Sequence, residues 1–292
     1  MNGITYLVTG ATGHTGGYTV KQLLARGVAV RALVHGEDER AEALRAQGAE
    51  VVIADLLDLN AVRAALEGVT GAYFIYPIKP GLISATAYFA QAASEAGVGA
   101  IVNMSQISAR RDSLSNAARD HWMAERVFDW SGVGVTHIRP TYFAEWLLYP
   151  HVRATIREHG VIKLPFGDGR HAPIAAEDQA RVIAAILADP APHRGQTYVL
   201  NGPKEMTEYG IAEAVSEALG RQVSYQPISM EEYRERLADS GLWPHIIQHL
   251  CEVATDCRNG IFEGTDKFIT QLTGTPPMTV QQFVAQHRAA FA

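Results

Sequence analysis

The sequence predicts a doubly wound parallel α/β sheet, on three observations. Short apolar, β-branched runs alternate with helical segments of about ten to fifteen residues from the N-terminus to Pro140. The runs are apolar throughout, as in strands buried on both faces. Glycines follow the helical segments, at Gly27, Gly48 and Gly97, where a left-handed stop is expected.

Taken in order, Ile4–Val8 is the first strand, and Val20, Leu23 and Leu24 repeat at helical spacing before Gly27. Val28–Val34 is the second strand, Arg40–Gln47 a charged helix, and Glu50–Ile53 the third strand. Asn60–Leu66 is helical, Gly71–Tyr76 the fourth strand, Ala85–Ala96 a helix, and Ala100–Met104 the fifth strand. His121–Trp130 is an amphipathic helix closed by Ser131-Gly132, and Val133–Ile138 returns as the sixth strand. Beyond Pro140 the rhythm loosens. Residues 165–169 form a turn, Asp178 N-caps a helix over Gln179–Leu187, and Tyr198–Asn201 is a strand. Thr207 caps a helix over Glu208–Leu219 that ends at Gly220, and Val223–Pro227 is a further strand. The division expected is 1–150 for the sheet domain and 151–292 for a smaller C-terminal α/β lobe, interleaved with the sheet edge.

The totals narrow the function classes. The 292 residues carry a formal charge of -6, which disfavours a surface that tracks nucleic-acid phosphates. Two cysteines, Cys251 and Cys257, without CxxC spacing, read as idle thiols of a reducing compartment. Met1 leads into a strand without the regions of a signal peptide, and no apolar run is long enough to span a membrane. A cytoplasmic protein, monomer or homodimer, is expected.

Gly10, Gly13 and Gly16 are spaced G-x-x-G-x-x-G between the first strand and the first helix. The first permits a tight turn, the second lets backbone N–H groups approach a phosphate, and the third lets helix pack on strand. At that junction the triplet marks a Rossmann dinucleotide site. The stretch Leu7-Val8-Thr9-Gly10-Ala11-Thr12-Gly13 with Gly16-Gly17 resembles the NmrA-like group of atypical short-chain dehydrogenases/reductases. The likeness continues through residues 30–34, Ala54-Asp55, Ser131-Gly132 and residues 138–143, and reaches residues 272–277 and Phe283. Within the group the chain is most similar to its quinone reductases and triphenylmethane reductases.

An acid at the end of the second strand selects NAD, and a base NADP. That slot holds His35, where the group usually has Arg, with Arg40 and less directly Arg31 to supplement it. Glu37, Asp38 and Glu39 argue the other way, and NADP(H) is favoured over NAD(H). The resemblance implies that Asp55 contacts the adenosine. The expected cofactor set is Gly10, Thr12, Gly13, His14, Thr15, Gly16, His35, Arg40, Asp55, Tyr76, Ser105, His121 and Pro140.

Short-chain dehydrogenases use a Tyr to protonate the carbonyl oxygen, a Lys four residues on, and a Ser on the fifth strand. Aligned on the group, Ala117 fills the Tyr slot, His121 the Lys slot, and Ser105-Gln106 the Ser position. The triad is broken. A positioned acid contributes about 10²–10⁴ in rate, so ordinary ketones suit the chain poorly. Quinones, azo dyes and triarylmethane cations suit it better, because hydride addition leaves a delocalised or neutral product that takes protons from water. The candidate catalytic residues are His121, as donor or as a ribose contact, and Tyr142, over the nicotinamide crevice or in aromatic packing. Trp146, Tyr149 and Phe166 line an acceptor pocket or belong to the core. His245 and His249, with Glu252, share a helical face, but nothing supplies further ligands, and no metal is expected. The reading is an NADPH-dependent reductase of a small conjugated acceptor. Its rivals are an NADP(H)-binding redox sensor of the NmrA type and a reductase of an activated alkene or imine.

Overall fold

The computed structural model describes residues 3–292; Met1 and Asn2, on which the reading of the N-terminus partly rests, lie outside them. The elements run β1 (Thr5–Val8), α1 (His14–Ala25), β2 (Ala29–Val34), α2 (Glu39–Ala46), β3 (Glu50–Ile53), α3 (Leu59–Leu66), β4 (Gly71–Phe74), α4 (Leu82–Ala96), β5 (Ala100–Met104), α5 (Asn116–Trp130) and β6 (Val135–Pro140). A 3₁₀ turn, Ala144–Leu148, leads to α6 (Pro150–His159), β7 (Val161–Leu164), β8 (Arg170–His171), α7 (Ala176–Ala188) and β9 (Thr197–Leu200). The rest is β10 (Met206–Thr207), α8 (Glu208–Leu219), β11 (Ser224–Pro227), α9 (Met230–Asp239), α10 (Pro244–Arg258), α11 (Phe268–Thr273) and α12 (Val280–Gln286).

Among the described residues a seven-stranded parallel sheet forms in the order β3-β2-β1-β4-β5-β6-β9. This is the doubly wound Rossmann-type sheet expected. Strand side chains alternate between two cores. Leu7, Ala72 and Phe74 pack with Phe89 and Phe128 on the face covered by α3–α5, while Val8 and Tyr73 pack with Val20, Leu23 and Ile183 beneath α1 and α7. A third core, around Leu147, Ile156, Ile211, Val215 and Phe283, belongs to the later half of the chain. That half also returns to the main sheet, where β9 pairs with β6 and α7 packs on α1.

Most element limits shift by one to three residues from those expected, and three differences have a visible cause. Helix α5 begins at Asn116, not His121, because Ser115 caps it by accepting from Ala118 N–H (3.1 Å), and Ala117 and Ala118 extend its buried face. Helix α7 begins at Ala176, so Asp178 is not its N-cap; its carboxylate pairs with Arg181 and accepts from Met278 N–H (2.7 Å). Strand β6 runs on through Pro140, because β9 supplies a neighbour that local sequence does not reveal.

Candidate active site

The sheet order reverses between β1 and β4, and the crevice beyond their carboxyl ends is where doubly wound sheets bind ligands. Thr9 ties the two strand ends together: its Oγ1 donates to Ile75 O (2.9 Å) and accepts from Ile75 N–H (2.8 Å). The glycine turn follows. Gly10 has φ 56°, which only glycine adopts without cost, and Gly13 N–H donates back to Gly10 O (2.9 Å). A side chain at Gly16 would overlap Gly10 O and press on Ala11 Cα (3.0 Å), so α1 lies directly on the turn. Gly13 is the N-cap of α1 and offers no side-chain cap, leaving the first amides of the helix for an anion.

Above the turn lies a cleft of about 430 Å³. It gathers Gly10, Thr12, Gly13, His14, Thr15, Gly16, His35, Arg40, Asp55 and Tyr76 into one wall. Asp55 is exposed and accepts from Leu57 N–H (2.9 Å). Arg40 lines the cleft but is held by Asp38, through Nε (2.8 Å) and a terminal nitrogen (2.6 Å). Two of the three acids beyond β2 are less free than their sequence suggests. Asp38 N-caps α2, and Glu37 pairs with Arg45. Arg31 does not supplement the site, because it is locked to Glu50 (2.9 Å) and to the carbonyls of Ala65 and Glu67 (both 2.8 Å).

The cleft opens into a second cavity of about 260 Å³, and Ile75, Tyr76, Pro77, Phe143 and Tyr149 line both. Ser105, His121, Pro140, Tyr142 and Trp146 stand in this second cavity, under a roof of His249, Leu250 and Val253 from α10. Clasps hold that roof: Arg110 grips Asp256 at both oxygens (2.7 and 2.6 Å), and Ser115 Oγ bonds His249 Nδ1 (2.9 Å). The α10 histidine considered as a metal ligand, His249, thus lines the second cavity. Phe166 is not: it is core, stacked on Tyr142 at 5.0 Å.

Each catalytic candidate has its chemistry constrained. Burial, and then the neighbouring His249, push the His121 imidazole down to about 4, with Glu125 pulling the other way. Burial, and then His245, bring His249 to about 4 as well. Both rings are neutral at ordinary pH and poor proton donors. Tyr142 is wedged between Phe166, His171 and Phe262, and burial raises its phenol far above the usual range. Ser105 Oγ is committed to the fully buried Glu125 (2.6 Å), which also accepts from Arg139 Nε (2.8 Å). A hydroxyl, a carboxylate and a guanidinium thus brace the floor where ordinary short-chain dehydrogenases keep their Ser.

Glu145 was not anticipated. It lies on the 3₁₀ turn, 4% exposed, and lines the cleft above the glycine turn. Its Oε1 accepts from Ala176 N–H (3.0 Å), doing for α7 what the capping residue Ala175 cannot, while Oε2 has no partner among the described residues. Burial pushes this carboxyl up to about 7, with Asp178 and Glu177 adding to the rise and the Ala176 hydrogen bond opposing it. The only local signal is an acid five residues past Pro140 in an apolar stretch.

The profile of the NmrA-like family matches residues 4–268. The chain belongs to the NmrA-like family. It is 30% identical over 287 residues to the NAD(P)H azoreductase of Xenophilus azovorans, covering 98% of each chain. The NADPH complex of the Escherichia coli NADPH-dependent quinone oxidoreductase superposes with a TM-score of 0.85, at 28% identity, covering 98% of this chain and 100% of that one. The Citrobacter sp. triphenylmethane reductase complexed with NADP(H) gives 0.84, at 26% identity, covering 96% and 99%.

Proposed function

We propose that this NmrA-like chain is an NADPH-dependent reductase that passes hydride to a small, neutral, conjugated acceptor of the quinone type. The observation that carries the reading is the union of the two cavities: a dinucleotide cleft with a glycine floor runs into an apolar chamber, with five residues shared between them. The azoreductase and the quinone oxidoreductase, which match this chain nearly end to end, are NAD(P)H-dependent reductases, and the chain is an oxidoreductase.

The residues present fit NADP(H). A Cβ at Gly13 would stand 3.2 Å from Gly10 O, within the cradle, and the uncapped N-terminus of α1 faces the same space. His35 and Arg40 stand where an acid would have selected NAD, with Glu37 and Asp38 occupied elsewhere. Bound there, the cofactor supplies a hydride, and water supplies the proton that completes the reduced acceptor. The chain's own part is placement and exclusion of water. Tyr76, Phe143 and Tyr149 form the passage between the two spaces, and the apolar chamber holds the acceptor in near-attack geometry.

Charge narrows the acceptor. Among the described residues no Asp, Glu, Lys or Arg lines the chamber, and its two imidazoles are neutral. An ion placed there loses hydration without a partner, so neutral quinones fit better than cationic triarylmethane dyes or sulfonated azo dyes. At about 260 Å³ the chamber suits one or two fused rings. Among the described residues no helix is long and apolar enough to cross a membrane. Work in the cytoplasm, as a monomer or homodimer, belongs to the same reading; two buried free cysteines support a reducing compartment.

The test is NADPH oxidation by pure protein against a neutral naphthoquinone, a neutral azo dye, a cationic triarylmethane dye and an aromatic aldehyde. The naphthoquinone is expected to be the fastest and the aldehyde the slowest. Equal rates on quinone and cationic dye, or brisk aldehyde reduction, would overturn the reading.

A further inference from the structure

Glu145 differs from every other ionisable group of the cofactor cleft. Asp55 and Arg40 are exposed, and Lys79 lies over the Tyr76 ring at 5.3 Å. Glu145 is buried, holds one oxygen on the N-terminus of α7, and keeps the other without a partner among the described residues. His14 and Tyr18 face it from α1, Glu177 and Asp178 from α7, and Tyr149 from beyond the 3₁₀ turn. No net positive charge comes from these neighbours. Arg181 is spent on Asp178, and burial holds His14 below its ordinary value.

We propose that Glu145 takes up a proton from solvent as the dinucleotide seats, so that the cleft holds its cofactor against a neutral carboxylic acid. The proposal rests on the reading of this cleft as an NADP(H) site. A pyrophosphate on the glycine turn brings at least two negative charges into a cleft that Glu145 also lines, and protonation removes the repulsion. Glu145 is therefore a positioning residue: Oε1 fixes α7 in either state, and the charge at Oε2 decides how well the anion is tolerated.

The sign follows from a carboxyl held near 7 in the free protein. Well below 7 it is already protonated, so binding draws no proton. Above 7 it is ionised in the free cleft, each binding event draws a proton, and affinity falls as pH rises. NADPH is titrated calorimetrically into the full-length protein at pH 6 and pH 8.5, in two buffers of different ionisation enthalpy. Expected is uptake of about one proton at pH 8.5 and nearly none at pH 6, with Kd rising about tenfold per pH unit above 7.5.

Glu145→Gln keeps an oxygen for Ala176 and imitates the neutral acid. It should abolish the uptake, flatten Kd against pH, and bind more tightly than wild type at pH 8.5. Wild-type protein without uptake at pH 8.5, or uptake that persists in Glu145→Gln, overturns the proposal while the dinucleotide reading stands. Failure of NADPH to bind at pH 6 overturns both. Absence of uptake in the wild-type buffer comparison overturns the proposal even if the variant does not fold.

Discussion

The glycine-floored cleft proposed for the cofactor and the apolar chamber proposed for the acceptor adjoin, yet they are built from different materials. The cleft is largely backbone: a left-handed Gly10, the Gly13 cap and the close seat of Gly16 on the turn create its anion end within seven residues of chain. The chamber is lined mostly by apolar side chains, drawn from the segments that follow β4, β5 and β6, from α5 and from α10. A site made of backbone conformation tolerates no Cβ, and so is rigid in sequence. A site made of apolar side chains requires only shape and neutrality, and many sequences meet those terms.

If the contrast holds, the largest effect belongs to the backbone. Gly13→Val places a branched side chain at the head of α1, inside the cradle. NADPH affinity, followed by fluorescence titration, should fall at least a hundredfold while the circular dichroism spectrum stays native, because Gly13 keeps a φ of -85° that valine accepts. Retained affinity would show that the turn is not the phosphate floor.

A charge in the chamber should act next most strongly, and on the other half of the reaction. Leu250 is half-buried in the roof, so Leu250→Lys can be accommodated while bringing an ammonium to the acceptor wall. kcat/KM for a neutral quinone should fall by about tenfold to thirtyfold, with NADPH affinity unchanged. Were both constants to fall together, the two spaces would not be separable in function.

The smallest effect is expected at His121. Neutral and buried, it has no proton to spare at pH 7, and His121→Ala should slow quinone turnover less than about tenfold, short of the 10²–10⁴ lost with a general acid. Its signature should appear in stability instead. His121 and His249 titrate near 6.5 when unfolded but near 4 when folded, so the unfolded chain binds more protons in between. Stability should fall as pH drops from about 6.5 toward 4, and urea denaturation of His121→Ala should show a flatter decline. A thousandfold loss of turnover with NADPH binding intact would restore His121 as the proton donor.

These differences explain what the sequence disclosed. The strand–helix alternation and the glycine triplet are local, so the sheet and the glycine turn were legible from Ile4 to Pro140. The commitments of side chains are not local. Nothing near Arg31 announces that Glu50 and two carbonyls after α3 will hold it, and nothing near Phe166 says that Tyr142 will cover it. Glu145 escaped for the same reason: its meaning depends on α7, which begins thirty-one residues later and whose start was itself misplaced by reading Asp178 as a cap. Pro140 ending a longer β6 depended likewise on a neighbour, β9, almost sixty residues downstream.

That last strand has a consequence for how such chains diversify. Because β9 closes the sheet beside β6, and α7 brings Val182, Ile183, Ile186 and Leu187 to the face beneath α1, the later half of the chain completes the earlier one. A gene cut near residue 150 would encode a sheet with a raw edge and a stripped face, prone to stick to its own copies. Recombination therefore cannot trade the acceptor chamber between relatives as a cassette. The chamber travels with α7, β9 and the Glu145 clasp, so any new acceptor preference is inherited together with the helix to which Glu145 is fastened.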